Sequence, residues 1–153
     1  RIPDNAGKQP LSQRIIDGAP DAYFATLPVN AMVAAMKQAE IPAAVSYTAG
    51  TYVCNDVMYQ VLHALATRFP ETRGTFLHVP FATEQVVEKN AAGEKGAAGE
   101  KSAAGEKGHA AGEKFRPVPS MPLEMMTRGL QVALEAALAT DVDLADSESG
   151  TTC

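Results

Sequence analysis

The sequence predicts an α/β fold in which helices pack on a mostly parallel sheet. An apolar run over 41–46 is typical of a buried strand, and an amphipathic helix follows it. A second apolar run over 74–79 predicts the next strand. Because a helix joins the two, the strand–helix–strand order favours parallel neighbours in one open sheet. The apolar side chains of the joining helix recur at helical spacing, at Val57, Met58, Val61, Leu62 and Leu65.

Two further helices are predicted on either side of this unit. The first begins after Thr26, the candidate N-cap, with Pro28 in its first turn. The second runs from about Leu123 to Ala139. The first is expected to bury an apolar stripe, interpreted as core and not as a cofactor site, and the second is expected to pack its own stripe on the sheet. The stripes are Val29, Met32, Val33 and Met36 in the first helix, and Met126, Leu130, Leu134 and Leu138 in the second.

Length and composition indicate one soluble domain. The chain has 153 residues, 46% of them apolar, which is enough for a single core. A net charge of −5 provides no basic footprint for nucleic acid, and no apolar run reaches the roughly 20 residues of a membrane span. Two cysteines do not make a disulfide framework, so a reducing, cytoplasmic location is expected.

Low-complexity segments set the expected domain bounds. A single domain is predicted over 1–140, with a flexible insertion at about 88–116. There the sequence Ala-Ala-Gly-Glu-Lys occurs four times, beginning at Ala91, Ala97, Ala103 and Ala110. Each copy contains glycine and no apolar face, so a solvated loop is expected. Residues 141–153 are acidic without an apolar period, which predicts a disordered tail.

The segment between the predicted strand and helix contains the candidate nucleophile, Cys54. Gly50 supplies the backbone freedom of a tight turn, and Cys54 falls at or near the first helical position. Unpaired N–H groups and the positive end of the helix dipole favour a thiolate there over a thiol. The competing interpretation is an inert buried thiol, the usual state of a free cysteine.

Among the three histidines, His78 is the candidate base. His63 lies on the face of the helix opposite Cys54, and His109 lies inside the repeat. His78 is near the carboxyl end of the strand predicted over 74–79, and a parallel crossover would bring it to the sheet edge that holds Cys54. A lone strand histidine is more often structural, which is the alternative here.

Four segments of the chain form a recognisable set of motifs: Arg-Ile-Pro-Asp-Asn-Ala-Gly at 1–7, Ala-Tyr-Phe-Ala-Thr-Leu-Pro at 22–28, Ala-Gly-Thr-Tyr-Val-Cys-Asn at 49–55 and Gly-Thr-Phe-Leu-His-Val-Pro at 74–80. In their order and spacing they resemble pyroglutamyl peptidase I, also called pyrrolidone carboxyl peptidase. The resemblance covers about 1–87 and resumes at 120–125. It implies a three-layer αβα sandwich with an open, mostly parallel sheet and a Cys–His–Glu triad. In the family, the glutamate and further strands precede the position of Arg1, so the sheet is expected to be incomplete at its N-terminal side.

The resemblance also implies roles for individual residues. Cys54 would form an acyl-enzyme while an N-terminal pyroglutamyl residue is removed from a peptide, with His78 as base. Tyr52 and Val53 would line the pocket for the lactam ring. Ile2 would touch that ring and Arg1 would donate to the oxyanion. The alternative is a surface loop in which Ile2 merely packs, and this alternative explains Arg1 equally well. No metal or organic cofactor is implied. The expected partners are N-terminally pyroglutamylated peptides, without nucleic acid or membrane, and a homo-oligomer is left open.

Two alternatives remain at this point. In the first, the chain would be a truncated, non-catalytic remnant or a binding partner of a missing N-terminal half, because no downstream acid replaces the glutamate. Asp56 and Glu71 are nearest in sequence to the pair, and ordinary surface solvation explains both. A redox-sensing thiol protein is the other alternative, but no resolving cysteine neighbours Cys54.

Overall fold

The structure, a computed structural model, describes residue 3 and residues 6–91 and 118–145. This part of the chain has four helices and two short strands. The strands pair in parallel, with Phe81 opposite Ser120 and Ala82 opposite Met121, as expected for the α/β class. None of the helices described is long and apolar enough to cross a membrane. In chain order the elements are α1 (Val29–Gln38), α2 (Val53–Arg68), β1 (Phe81–Ala82), α3 (Thr83–Ala91), β2 (Ser120–Met121) and α4 (Leu123–Ala139).

The chain divides into two compact units, and α4 contributes to both. The first unit comprises Arg1–Leu77 and Gly129–Cys153, and the second comprises His78–Arg128. The first unit therefore holds α1, α2 and most of α4. The second holds the paired strands, α3 and the beginning of α4.

The core of the first unit lies between α1 and α4. The predicted stripe of α1 is confirmed at Met32 and Met36, which are buried, and at Val33, which packs against them. The α4 residues in this core are Ala133 and Ala137, whereas Leu134 and Leu138 are 57% and 83% exposed. The stripe predicted for α4 is therefore wrong beyond Met126, because Ala133 and Ala137 pack with Met32 and Met36 while Leu134 and Leu138 lie at the surface.

A single acidic side chain satisfies the first turn of α1. Asp143 accepts hydrogen bonds from the backbone N–H groups of Asn30 at 3.0 Å and Ala31 at 2.9 Å. Thr26 is not the cap, since its hydroxyl instead accepts the Gly74 N–H at 2.8 Å. The prediction of a disordered tail from residue 141 is accordingly wrong for Asp143, while residues 146–153 lie outside the described part.

Neither predicted strand of the first half is a strand in the structure. Residues 41–46 and 74–79 have irregular backbone. A strand needs a ladder of bonds to a neighbour. Gly74 O instead accepts the Thr26 N–H at 2.8 Å, and Ile41 N donates to Met36 O at 2.9 Å. These segments bond to a loop and to a helix end, so hydrophobicity alone predicted the wrong conformation.

Helix α2 has the predicted end, Arg68, but a narrower buried face. Leu62 is buried and Met58 and Leu65 are half-buried, whereas Val57 and Val61 are 44% and 48% exposed. Two of the five predicted core positions of α2 are therefore at the surface.

Helix α3 was not predicted. Its start is marked by Gln85, whose Oε1 accepts the Ala82 N–H at 2.8 Å, one half of a capping box. Because α3 continues to Ala91, the loop expected from residue 88 begins later than predicted. The remainder of the repeat, including His109, lies outside the described residues.

Candidate active site

A short polar turn over residues 46–50 precedes the start of α2. The Ser46 hydroxyl donates to Thr48 O at 2.8 Å, and the Gly50 N–H donates to the Thr48 hydroxyl at 3.0 Å. Gly50 has a φ angle of +82°, a backbone conformation that residues other than glycine rarely adopt. The predicted need for glycine in this turn is thus confirmed, and the turn is held by its own side chains.

Cys54 is the second residue of α2, and its free thiol is half-buried. The first bond of helical type is donated by Asp56 N to Tyr52 O at 3.2 Å. The amides of Val53, Cys54 and Asn55 precede that bond, so they are the donors that a helix leaves open at its start. A thiol and open backbone donors therefore occur together, as a covalent nucleophile with its own oxyanion stabilisation requires.

The two residues before Cys54 present apolar surface at the same helix start. Tyr52 is 38% exposed and Val53 is 54% exposed. The Tyr52 hydroxyl donates to Pro3 O over 3.5 Å, which brings the beginning of the chain beside this turn. Arg1 and Ile2, the other residues assigned to substrate, lie outside the described residues.

His78 is exposed and begins the second unit, whereas Cys54 belongs to the first. Their pairing stays a prediction. His63 does have partners of its own: Nδ1 is 2.8 Å from the Tyr23 hydroxyl, and its ring stacks on Tyr59 with an interplanar angle of 2°. The orientation of His63 away from Cys54 stays a prediction.

Asp56, one of the two acids nearest Cys54 and His78 in sequence, bonds within its own helix. Asp56 accepts a hydrogen bond from the Gln60 side chain at 2.8 Å, one helical turn along α2. Over the described ranges, no three His, Cys, Asp or Glu side chains gather in a group that could hold a metal ion.

The sequence analysis did not predict a polar cleft whose wall includes Asn55, the residue after Cys54. Its volume is about 470 Å³, and it lies between the loop over 12–21 and the first turns of α2. Asn55 and Tyr59 form the helix wall, four residues apart on one face. That spacing was visible in the sequence, but the loop that faces it is positioned only by tertiary contacts.

Comparison with known proteins places these features in a family context. The profile of the pyroglutamyl peptidase family matches residues 1–140. A pyrrolidone-carboxylate peptidase of Thermococcus onnurineus is 43% identical over 137 residues, which cover 90% of this chain and 55% of that relative. One of Streptomyces coelicolor is 42% identical over 153 residues, covering 99% of this chain and 58% of the relative. The chain thus spans little more than half the length of these curated relatives.

Solved structures of pyroglutamyl peptidases are also similar to this chain. The crystal structure of pyroglutamyl peptidase I from Bacillus amyloliquefaciens superposes with a TM-score of 0.71 at 34% identity, over 95% of this chain and 56% of that one. A mutant pyrrolidone carboxyl peptidase from Pyrococcus furiosus gives a TM-score of 0.68 at 37% identity, over 91% of this chain and 56% of that one. The α/β fold predicted from the sequence is therefore confirmed.

Proposed function

This chain belongs to the pyroglutamyl peptidase family, and we propose that it carries the nucleophile and the base that hydrolyse the amide bond after an N-terminal pyroglutamyl residue. The observation that carries the proposal is the position of Cys54, a free thiol at the second residue of α2. The family match includes both Cys54 and His78.

The reaction would proceed in two steps. The Cys54 thiolate attacks the carbonyl carbon of the pyroglutamyl residue, and the resulting oxyanion is stabilised by the Cys54 N–H. One such donor is worth roughly 3 kcal/mol in the transition state. The C–N bond then breaks, and protonated His78 gives its proton to the departing amine, leaving a thioester. Water, with its proton accepted by His78, attacks the thioester, and the Cys54 thiolate leaves as 5-oxoproline is released.

Recognition of the lactam ring is assigned to the residues around the turn. Exposed apolar surface on Tyr52 and Val53 suits a flat, small ring. Ile2 would complete that apolar contact, and Arg1 would add a charged donor to the oxyanion. The third triad member, a glutamate by resemblance, is proposed to come from the part of the family domain that this chain does not match.

A second candidate is favoured by the same coverage. The chain spans 55% of the length of one relative and 58% of another. If the remaining portion of the family domain supplied all the catalytic residues, this chain would act as a non-catalytic binding partner. The two candidates differ in whether Cys54 is needed for turnover.

The test is hydrolysis of a pyroglutamyl arylamide. Residues 1–153 would be assayed alone and mixed with the separately expressed portion of the Streptomyces relative that this chain does not match. We expect the mixture to hydrolyse the arylamide. The turnover by the chain alone should be lower by at least about 10⁴-fold, which is the cost of removing the acid that orients a catalytic histidine.

Cys54→Ser in the active mixture should lower turnover by about 10⁴-fold or more, since the triad acts as a unit. Cys153→Ser is the matched control and should leave turnover unchanged. Full activity in Cys54→Ser would contradict the nucleophile assignment and favour the binding-partner candidate.

A further inference from the structure

The cleft beside α2 has polar walls and belongs wholly to the first unit. Its volume of about 470 Å³ falls within the range of small-ligand sites. The polar side chains that line it include Ser12, Arg14 and Asp21 from the loop and Asn55 and Tyr59 from α2. We call it the loop–α2 cleft.

Hydrogen bonds hold the loop wall against the helix. The Tyr59 hydroxyl donates to Pro20 O at 2.5 Å. Arg14 Nη1 lies 2.8 Å from Asp21 Oδ1 and donates to Ala19 O at 3.0 Å. Desolvation, reinforced by nearby Tyr23, raises the pKa of the Tyr59 phenol, so this donor stays protonated at neutral pH. The cleft is therefore formed before any ligand arrives.

The position of the cleft relates it to Cys54. Asn55 follows Cys54 directly and forms part of the helix wall. A peptide whose first carbonyl carbon is at the Cys54 thiol must continue away from the apolar residues Tyr52 and Val53. The helix wall of the loop–α2 cleft begins one residue along α2 from Cys54, at Asn55.

We propose that the loop–α2 cleft binds the residues that follow the scissile bond, which leave as the released peptide. The exposed Asn55 amide offers one acceptor and two donors, the complement of a peptide group. The proposal rests on the proposed function for the identity of this peptide.

The charges of the cleft indicate what it recognises. Arg14 and Asp21 form an ion pair on the loop wall, so their charges largely cancel. Recognition would then fall on the peptide backbone and not on a charged side chain. We therefore expect the cleft to favour longer over shorter leaving groups with little preference for their charge.

The direct test is binding of tri-alanine amide to ¹⁵N-labelled residues 1–153, followed by NMR. The side-chain amide signals of Asn55 should shift on titration, whereas those of Gln60 on the same helix should not. Asn55→Ala should weaken binding at least fivefold, and Gln60→Ala should leave it unchanged. Shifts at neither or at both side chains, or equal affinities in the two variants, would overturn the proposal.

Kinetics of the active mixture provide a second readout. We expect Asn55→Ala to lower kcat/KM for pyroglutamyl-tri-alanine amide about tenfold more than for the arylamide, equivalent to about 1.4 kcal/mol. An equal loss for both substrates would show that Asn55 acts at the nucleophile and not in the cleft. Absence of all hydrolysis by the unsubstituted mixture would contradict the proposed function, and the tri-alanine titration would still decide the cleft.

Discussion

Asp143 stabilises the first turn of α1 from a position 112 residues away from Ala31 in sequence. Partial burial raises the pKa of its carboxyl group, but bonds from the amides of Asn30, Ala31 and Leu144 outweigh this and hold the pKa below its ordinary value. The carboxylate also faces the positive end of the helix dipole. It is therefore a cap supplied by tertiary structure.

Replacing this carboxylate should destabilise the protein in a pH-dependent way. Asp143→Ala should cost about 1 kcal/mol in the free energy of unfolding at pH 7, the usual value for an N-cap. Because the folded pKa is lowered, the stabilisation is present above the unfolded pKa of about 4 and is lost as pH falls through the lower folded pKa. Urea unfolding of Asp143→Ala and of the unsubstituted protein at several pH values measures this difference in the free energy of unfolding.

The control for this prediction is Asp141→Ala, which removes an exposed carboxylate two residues away. Its urea midpoint should match that of the unsubstituted protein. A stability difference for Asp143→Ala that stayed constant between pH 7 and pH 2 would show that charge at this position has no part in the cap.

Helix α4 has a glycine at a position where a helix former would ordinarily stand. Gly129 is buried, and a Cβ added there would lie 3.4 Å from Ile41 Cγ2 and 3.8 Å from Met36 Sδ, within ordinary contact distance. Gly129→Ala should therefore stabilise the protein by up to about 1 kcal/mol, the helix-propensity difference between the two residues. The denaturation midpoint reports the change.

A bulkier substitution separates propensity from packing at this site. Gly129→Val adds two further methyl groups against Ile41 and should destabilise the protein, because overpacking a close contact forces neighbours to move. If Gly129→Ala were also destabilising, the approach of α4 to Ile41 would be tighter than a separation of 3.4 Å indicates.

At the scale of the whole molecule, the repeat is expected to add nothing to the stability of the fold. Its copies have no apolar face, and it lies between α3 and β2 in the chain. Replacing residues 92–114 by a short Gly-Ser connector should leave the melting temperature within a few degrees, since closure entropy changes only slowly with loop length. Calorimetry of the two proteins tests this.

Deletion of 118–121 is the matched comparison for the repeat. It removes β2 and with it the parallel pairing to β1, so the melting temperature should fall. An equally large fall on removal of 92–114 would mean that the repeat includes a packed element.

The sequence alone predicted the features whose bonds are local. The bounds of α4 and the end of α2 follow from periodicity and from Pro70, because helical bonds join residues four apart. The place of Cys54 at the start of α2 and the glycine of its turn follow from the same local rules. The family was recognisable because its motifs are contiguous segments.

Tertiary structure decided whatever depends on a distant partner. Residues 41–46 and 74–79 are apolar enough for strands, but a strand exists only where a neighbour completes its ladder. The buried face of α4 was mispredicted because contact with α1 selects small Ala133 and Ala137 over the more apolar Leu134. Likewise, the Arg73 side chain donates to Ala137 O and Thr140 O and so caps the end of α4. Local sequence does not predict this cap, because Arg73 is more than 60 residues away in the chain. The loop–α2 cleft is set in the same way, by the bond from Tyr59 to Pro20 across 39 residues of chain.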